Sequence, residues 1–235
     1  MALLVRTWNV FHGNADPPER RAYLEEMVGL AVSDDPDVVC LQEVPVWALA
    51  RLEDWSGMAA LGAVAARPLL PPGLGRIVTD LNHGLLRSAV TGQANAVLVA
   101  RRHRVLGHEA LVLNPRSGRE RRVCQAVRLD APVLVANLHA TGNERLANEE
   151  LQRAVAWLDG LAPAGEPLIL AGDANVLPAR SETFRALDGF TEPEPRIDWL
   201  LARGLPARTA VWPEERRRLA GRLLSDHAPV EAVVG

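Results

Sequence analysis

Apolar positions along the chain fall into short runs and longer helical stripes that alternate from end to end. Residues 2–9 read as a strand that delivers Asn9 to the loop Val10-Phe11-His12-Gly13-Asn14, where His12 reads as decoration. Pro17-Pro18-Glu19 predicts the opening of a helix with Tyr23, Met27, Leu30 and Ala31 on one face. Residues 37–44 predict a buried strand ending in Gln42-Glu43, after which Pro45 starts a helix through Trp47, Leu49, Leu52 and Trp55. Residues 59–66 read as a strand, 67–75 as a Pro-rich loop, and 76–88 as a helix through Ile77, Leu81 and Leu85.

From Gln93 the pattern turns β-rich, with strands expected over 94–100, 109–113, 121–129 and 133–138, the last followed by His139. Residues 143–161 form an amphipathic stripe presenting Leu151, Val155 and Leu158. The stretch Pro167-Leu168-Ile169-Leu170-Ala171-Gly172-Asp173-Ala174-Asn175 then stops an apolar run at a glycine and delivers an acid and an amide. Such a run suits a strand covered on both faces, and the carboxyl ends of such strands are where α/β proteins place ligands. A short helix is expected from 181, strands over 196–201 and 209–212, and a closing strand after Ser225-Asp226-His227-Ala228-Pro229. The chain halves roughly, each half alternating helices with clustered strands, and two packed sheets with helices outside satisfy that pattern. No seam divides the 235 residues, so a single domain over 1–235 is expected.

Composition narrows the chemistry. All 26 basic side chains are Arg, which excludes Schiff-base chemistry and Lys-dependent phosphate loops. The net charge of −3 provides no global positive field for nucleic acid or an anionic membrane, although a local basic groove remains open. Cys40 and Cys124 fall in apolar runs without metal-ligand spacing and read as reduced core residues. The N-terminal run meets Arg6 at once and no later stretch reads as a membrane span, so a cytoplasmic location is expected.

The polar residues at strand ends are Asn9, Glu43, His139, Asp173, Asn175, Asp198, Asp226 and His227. Oxygen donors without thiolates suit a hard divalent ion, Mg²⁺ or Mn²⁺, and two histidines with a further acid remain for proton transfer and phosphate binding. Each residue alone has a plain structural role. Asn9 and Asp198 suit turns, Glu43 a helix start, His139 a satisfied core histidine, and Asp173 with Asn175 an Asx-type turn. Asp226-His227 resists that treatment, because an adjacent acid and base in an apolar segment both need compensation if buried. One shared site accounts for all eight better than eight separate roles.

Thr7-Trp8-Asn9-Val10, Leu41-Gln42-Glu43-Val44, Asn137-Leu138-His139-Ala140-Thr141, Gly172-Asp173-Ala174-Asn175, Ile197-Asp198-Trp199-Leu200 and Ser225-Asp226-His227-Ala228-Pro229 resemble, in order, the motifs of the endonuclease/exonuclease/phosphatase superfamily. The resemblance implies an α/β fold, a four-layer αββα sandwich of two packed mixed β-sheets flanked by helices. It implies that Glu43, with Asn9 and Asp226, binds Mg²⁺ or Mn²⁺, that Asp198 orients and charges His227, and that His139, Asn175 and His227 contact phosphate. Asp173 or His227 serves as the base toward water. Gln93-Ala94-Asn95-Ala96-Val97-Leu98 resembles a further strand of the family, which would bring Asn95 toward the phosphate. No counterpart of the tyrosine of abasic-site nucleases is found, since Tyr23, the only Tyr, lies on a core-facing position.

The reading is a metal-dependent phosphohydrolase, foremost a nuclease acting on a nucleic acid substrate. The clusters Arg101-Arg102-His103-Arg104, 116–122 and Arg216-Arg217-Arg218 are either backbone-tracking or solvated surface. The alternatives are a hydrolase of phospholipid, inositol phosphate or another phosphorylated small molecule, with 68–74 as an apolar lip, and an inactive binding protein on the same fold. No stable protein partner is expected.

Overall fold

The computed structural model describes residues 2–81, 90–115, 121–162 and 165–235. Its elements are β1 (Leu3–Asn9), β2 (Ala15–Asp16), α1 (Leu24–Ala31), β3 (Val38–Val44), α2 (Leu52–Ser56), β4 (Ala59–Ala66), α3 (Pro72–Leu81), β5 (Gln93–Val99), β6 (Val105–Val112) and β7 (Val123–Leu129). There follow β8 (Leu134–His139), α4 (Glu144–Leu161), β9 (Leu168–Asp173), α5 (Glu182–Arg185), β10 (Asp198–Arg203), β11 (Ala207–Val211), β12 (Arg218–Leu219), β13 (Arg222–Leu224) and β14 (Val230–Val234). One sheet runs β11-β14-β1-β3-β5-β4, a second runs β10-β9-β8-β7-β6, and β12-β13-β2 form a small third sheet.

Three apolar cores make the layers. Val5, Val38, Cys40, Val97, Val135, Ile169 and Leu200 fill the space between the two large sheets. Tyr23, Met27 and Leu52 pack the N-terminal helices on Trp8, Leu41 and Leu98 of the first sheet. Ala147, Leu151, Ala154 and Leu158 of α4 pack on Leu138, Leu170 and Trp199 of the second. Strand alternation explains this division: Val5 faces the other sheet while Trp8, three residues on, faces the helices. The architecture is the αββα sandwich that the motifs implied. No described helix is long and apolar enough to cross a membrane.

The structure departs from the sequence reading in several places, β6 for one beginning at Val105 rather than 109. The first helix begins at Leu24 rather than at Pro17, because Asp16 and Ala15 pair with Leu223 and Leu224 and hold the preceding segment as a strand. The segment after Pro45 is a 3-10 stretch, Val46–Arg51, before it becomes α2. Pro72 opens α3 inside the stretch that reads as a loop, since proline is suited to a first helical turn; residues 82–88 of the expected helix lie outside the described residues. The sequence reading left the strand pairing unassigned. Antiparallel β14 pairs along β1, with Leu3 opposite Val234, and β11 follows it, so the first sheet is completed from the C-terminus.

Candidate active site

Two parallel pairs, β1 with β3 and β8 with β9, bring carboxyl ends to one end of the sandwich. In register, Asn9 lies opposite Gln42, His139 opposite Asp173, and Asp173 opposite Asp198 on antiparallel β10. Gly172 makes the β8–β9 approach possible: its φ is +137°, and a Cβ there would lie 1.9 Å from the Leu138 carbonyl oxygen. On β3 the pairing with β5 is irregular between Leu41 and Val44, and Glu43 takes a φ of +56°. That bulge turns the Glu43 side chain out of the strand's alternation.

Asp173 is the point of convergence. Its Oδ2 accepts from Asn9 Nδ2 at 3.0 Å, and its Oδ1 accepts from the Asn175 N–H at 2.9 Å. His139 Nε2 stands 3.6 Å and His227 Nε2 3.9 Å from the same Oδ2, too long for direct hydrogen bonds. On its far side, His227 Nδ1 lies 2.8 and 3.0 Å from the Asp198 oxygens. Burial and the Asp198 charge push Asp173 up to about 7, against the opposing pull of His227, Asn9 and the Asn175 N–H. Burial alone would lower His227, but the Asp198 hydrogen bond and the charges of Asp198, Asp173 and Asp226 outweigh it, and His227 is pushed up to about 9. At neutral pH His227 is therefore an imidazolium.

His139 is its opposite. Burial first, then the charges of Arg122, His227 and His12, hold it well below the ordinary histidine range, so it is neutral. Gln93 Nε2 lies 3.0 Å from its Nδ1, and its Nε2 is turned toward Asp173 and, at 3.7 Å, Glu43 Oε1. Asn175 sits in the left-handed region at φ +52°, and its Nδ2 donates to the Ala140 carbonyl at 2.8 Å. This leaves its second amide hydrogen for another acceptor.

The three expected metal residues are placed differently from one another. Glu43 is raised by burial, with Asp226 adding to the effect and Arg122, Asn9 and His227 opposing it. Asp226 is exposed, one residue before His227. Asn9 turns its NH₂ to Asp173, and its oxygen already accepts the Phe11 N–H at 3.0 Å, leaving one lone pair. Two like charges acting on each other beside an oxygen-rich donor set are the arrangement a hard divalent cation relieves, so the residues fit the group. A tighter cluster, Asp173, Asp198 and His227, brings its ligand atoms within 4.8 Å of one another. A protonated His227 bonded to Asp198 has no lone pair to offer a metal ion.

Four residues belong to the site that the sequence reading did not assign to it. His12 is buried, and its Nε2 lies 3.7 Å from Glu43 Oε2. Gln93 and Arg122 both contact His139, with Arg122 Nη1 3.1 and 3.0 Å from its ring nitrogens. Arg217 lies under the His227 loop. Asn95, by contrast, is drawn between the sheets, donating to the carbonyls of Val123 and Asn137 at 3.2 and 3.3 Å. Tyr23 is in the core, as read.

The arginine clusters divide. Arg101 and Arg102 follow the end of β5 remote from Gln93, where Arg102 pairs with Asp35 at 2.8 Å and Asp37 at 2.9 Å. Arg216 pairs with Asp34 and Glu231, and Arg218 pairs with Glu214 at 2.9 Å. Residues 116–120 lie outside the described residues.

Comparison with solved structures returns the same fold. A conserved protein of unknown function from Enterococcus faecalis V583 matches with a TM-score of 0.73 at 17% identity, over 99% of each chain. An endonuclease/exonuclease/phosphatase from Beutenbergia cavernae DSM 12333 matches at 0.72 and 20% identity, over 99% of this chain and 71% of its own. A mannosyl-6-phosphatase from Bacteroides thetaiotaomicron VPI-5482 matches at 0.70 and 15% identity, over 99% of each. No curated protein matches the sequence. The sequence model of the Endonuclease/Exonuclease/phosphatase family matches residues 7–227, and the chain belongs to that family.

Proposed function

We propose that the chain is a divalent-cation-dependent phosphoester hydrolase that cleaves phosphodiesters, with nucleic acid the first substrate to test. The observation that carries this reading is Asp173. It is a buried carboxyl pushed up to about 7, close to a neutral His139 and a cationic His227. A base with that value is half ionised at neutral pH, where it accepts a proton from water most effectively. The fixed amide hydrogens of Asn9 and the Asn175 main chain orient its lone pairs.

In-line attack on phosphorus needs a placed water, donors on the nonbridging oxygens and compensation for developing charge. Asp173 orients the water and takes its proton. His139 and the second Asn175 amide hydrogen contact the phosphate oxygens. His227, kept charged by Asp198, donates to the phosphate and stabilises its negative charge. Glu43 and Asp226, with the free lone pair of Asn9, would hold the cation, which supplies positive charge to the phosphoester when bound.

A second reading, hydrolysis of a phospholipid ester, is favoured by the exposed residues of the β4–β5 connection. Leu69, Leu74 and Ile77 are 78%, 52% and 54% exposed, and Arg67 and Arg76 beside them are also exposed. The same connection leads into Gln93, which touches His139. The deciding experiment incubates single- and double-stranded DNA and RNA, and separately phospholipid vesicles, with Mg²⁺ or Mn²⁺. EDTA and a folded His227→Ala variant are the controls. Cleavage of a nucleic acid that both controls abolish supports the first reading; turnover of lipid alone transfers it to the second. A folded, cation-loaded protein that hydrolyses neither overturns the phosphodiesterase assignment.

A further inference from the structure

We infer that Arg217 is a positioning residue, whose buried guanidinium fixes the main chain that carries Asp226 and His227. Its Nη1 donates to the carbonyls of Ser225 at 2.8 Å, Leu224 at 3.2 Å and His227 at 3.3 Å. Three carbonyls of one short segment thus turn toward a single nitrogen. The chain between them is curled around the guanidinium.

The rest of the loop is held to match. Ser225 is a non-glycine residue at φ +62°. Its hydroxyl donates to the Asn9 carbonyl at 2.7 Å and accepts the His227 N–H at 3.1 Å. The His227 carbonyl also accepts from Trp8 Nε1 at 3.0 Å. With its carbonyl and N–H both tied down on the inner side, His227 is left to direct its ring toward Asp198 and Asp173. A small turn of this main chain would swing the Nδ1–Asp198 contact out of line, because the ring is carried directly by the backbone that Arg217 holds.

The placement is not that of a solvated arginine. Arg217 is 5% exposed, while its neighbours Arg216 and Arg218 pair with carboxylates at the surface. It closes the base of the β12–β13 hairpin, whose second strand ends at Leu224. Its Nε makes no hydrogen bond among the described residues. Burying a guanidinium on neutral carbonyls is unfavourable unless its geometry is needed, since an apolar side chain would fill the space more easily. The charge of Glu214 first, and then that of Asp226, compensates part of that penalty.

The inference rests on the proposed hydrolase reading for its kinetic consequence, but the positioning can be measured without substrate. The test compares Arg217→Lys and Arg217→Ala with the parent by circular dichroism and thermal melting. Proton NMR of the downfield His227 Nδ1–H resonance, assigned by its loss in Asp198→Asn, reports the contact itself. Initial rates with the best substrate of the preceding panel follow. Arg217→Lys keeps the charge and loses the fixed planar donor. It is expected to fold, to shift or lose the downfield resonance, and to lower kcat by about 10- to 100-fold with KM within about twofold, the scale of a misplaced catalytic group. Millimolar guanidinium is expected to restore part of kcat and the resonance in Arg217→Ala.

A folded Arg217→Lys with the parental resonance and kcat overturns the inference, whatever its melting temperature, because Arg217 would then only fill space. If Arg217→Ala does not fold, Arg217→Lys decides alone. If no phosphoester is hydrolysed by the parent, the hydrolase reading fails while the resonance still decides the positioning role.

Discussion

Gly172→Ala tests the junction on which the site is built. The added Cβ would lie 1.9 Å from the Leu138 oxygen, 2.7 Å from its nitrogen and 2.8 Å from its carbonyl carbon. All three atoms are backbone of the adjacent parallel strand, so no rotamer change relieves the overlap. The strands must part where they set His139 beside Asp173. Backbone strain at such a φ costs about 1–3 kcal/mol, and forced overpacking about 1–3 kcal/mol more. A combined loss of about 2–6 kcal/mol is a large share of the roughly 5–15 kcal/mol that holds a domain folded. With a urea dependence near 2–3 kcal/mol per molar, the unfolding midpoint should fall by about 1–3 M. Gly29→Ala is the matched control. Gly29 lies on α1 with nothing within 4 Å of an added Cβ, and helix propensity alone should raise stability by about 1 kcal/mol. Below the transition, the Gly172 variant should also be slower, because Asp173 no longer meets His139 and His227 in register. A midpoint unchanged within about 0.3 M, a shift of roughly 1 kcal/mol or less, would refute the close approach.

The pH dependence of kcat/KM should be bell-shaped, rising through about 7 as Asp173 loses its proton and falling through about 9 as His227 loses its own. A rate still climbing above that upper limb would remove His227 as the cationic donor. Glu43→Ala should lose roughly 100-fold in rate and recover in part with excess Mg²⁺ or Mn²⁺, whereas His227→Ala should not recover; equal losses insensitive to the cation would sink the division of roles. For stability, burial favours the neutral form of Asp37, but hydrogen bonds from His103, the Leu4 N–H and Arg102 outweigh it and hold the carboxyl below its ordinary 3.8. Its contribution is therefore full above that ordinary value and is lost as pH falls through the lowered one. Asp37→Asn should cost about 1–2 kcal/mol at neutral pH and progressively less in acid, and parallel melting curves at every pH would contradict this.

What the sequence revealed and what it concealed divide along one physical line. Asn9, Glu43, His139 and Asp173 were legible because each ends or follows an apolar run, and Asp198 because it opens one; a strand's period and its ends are local properties. The sandwich was legible from the same runs and from motifs lying in order along them. The pairing of β14 with β1, Leu3 against Val234, has no local signal, so which strands share a sheet was not legible. Gln93 and Asn95 show the limit within one strand. They share a face by the period of two, yet Gln93 at the strand's end meets His139 while Asn95 is drawn between the sheets. His12 sits in a turn at φ +53° that only the completed sandwich buries. Arg122 and Arg217 are hidden in another way. Among 26 arginines in a chain without lysine, nothing in composition or spacing separates these two, or the equally buried Arg6, from those at the surface. Groups proposed to react sit at or just beyond strand ends, and the sequence shows where strands begin and stop. Groups that aim them, such as Gln93 for His139 and Arg217 for His227, are defined by partners that meet only in the folded chain.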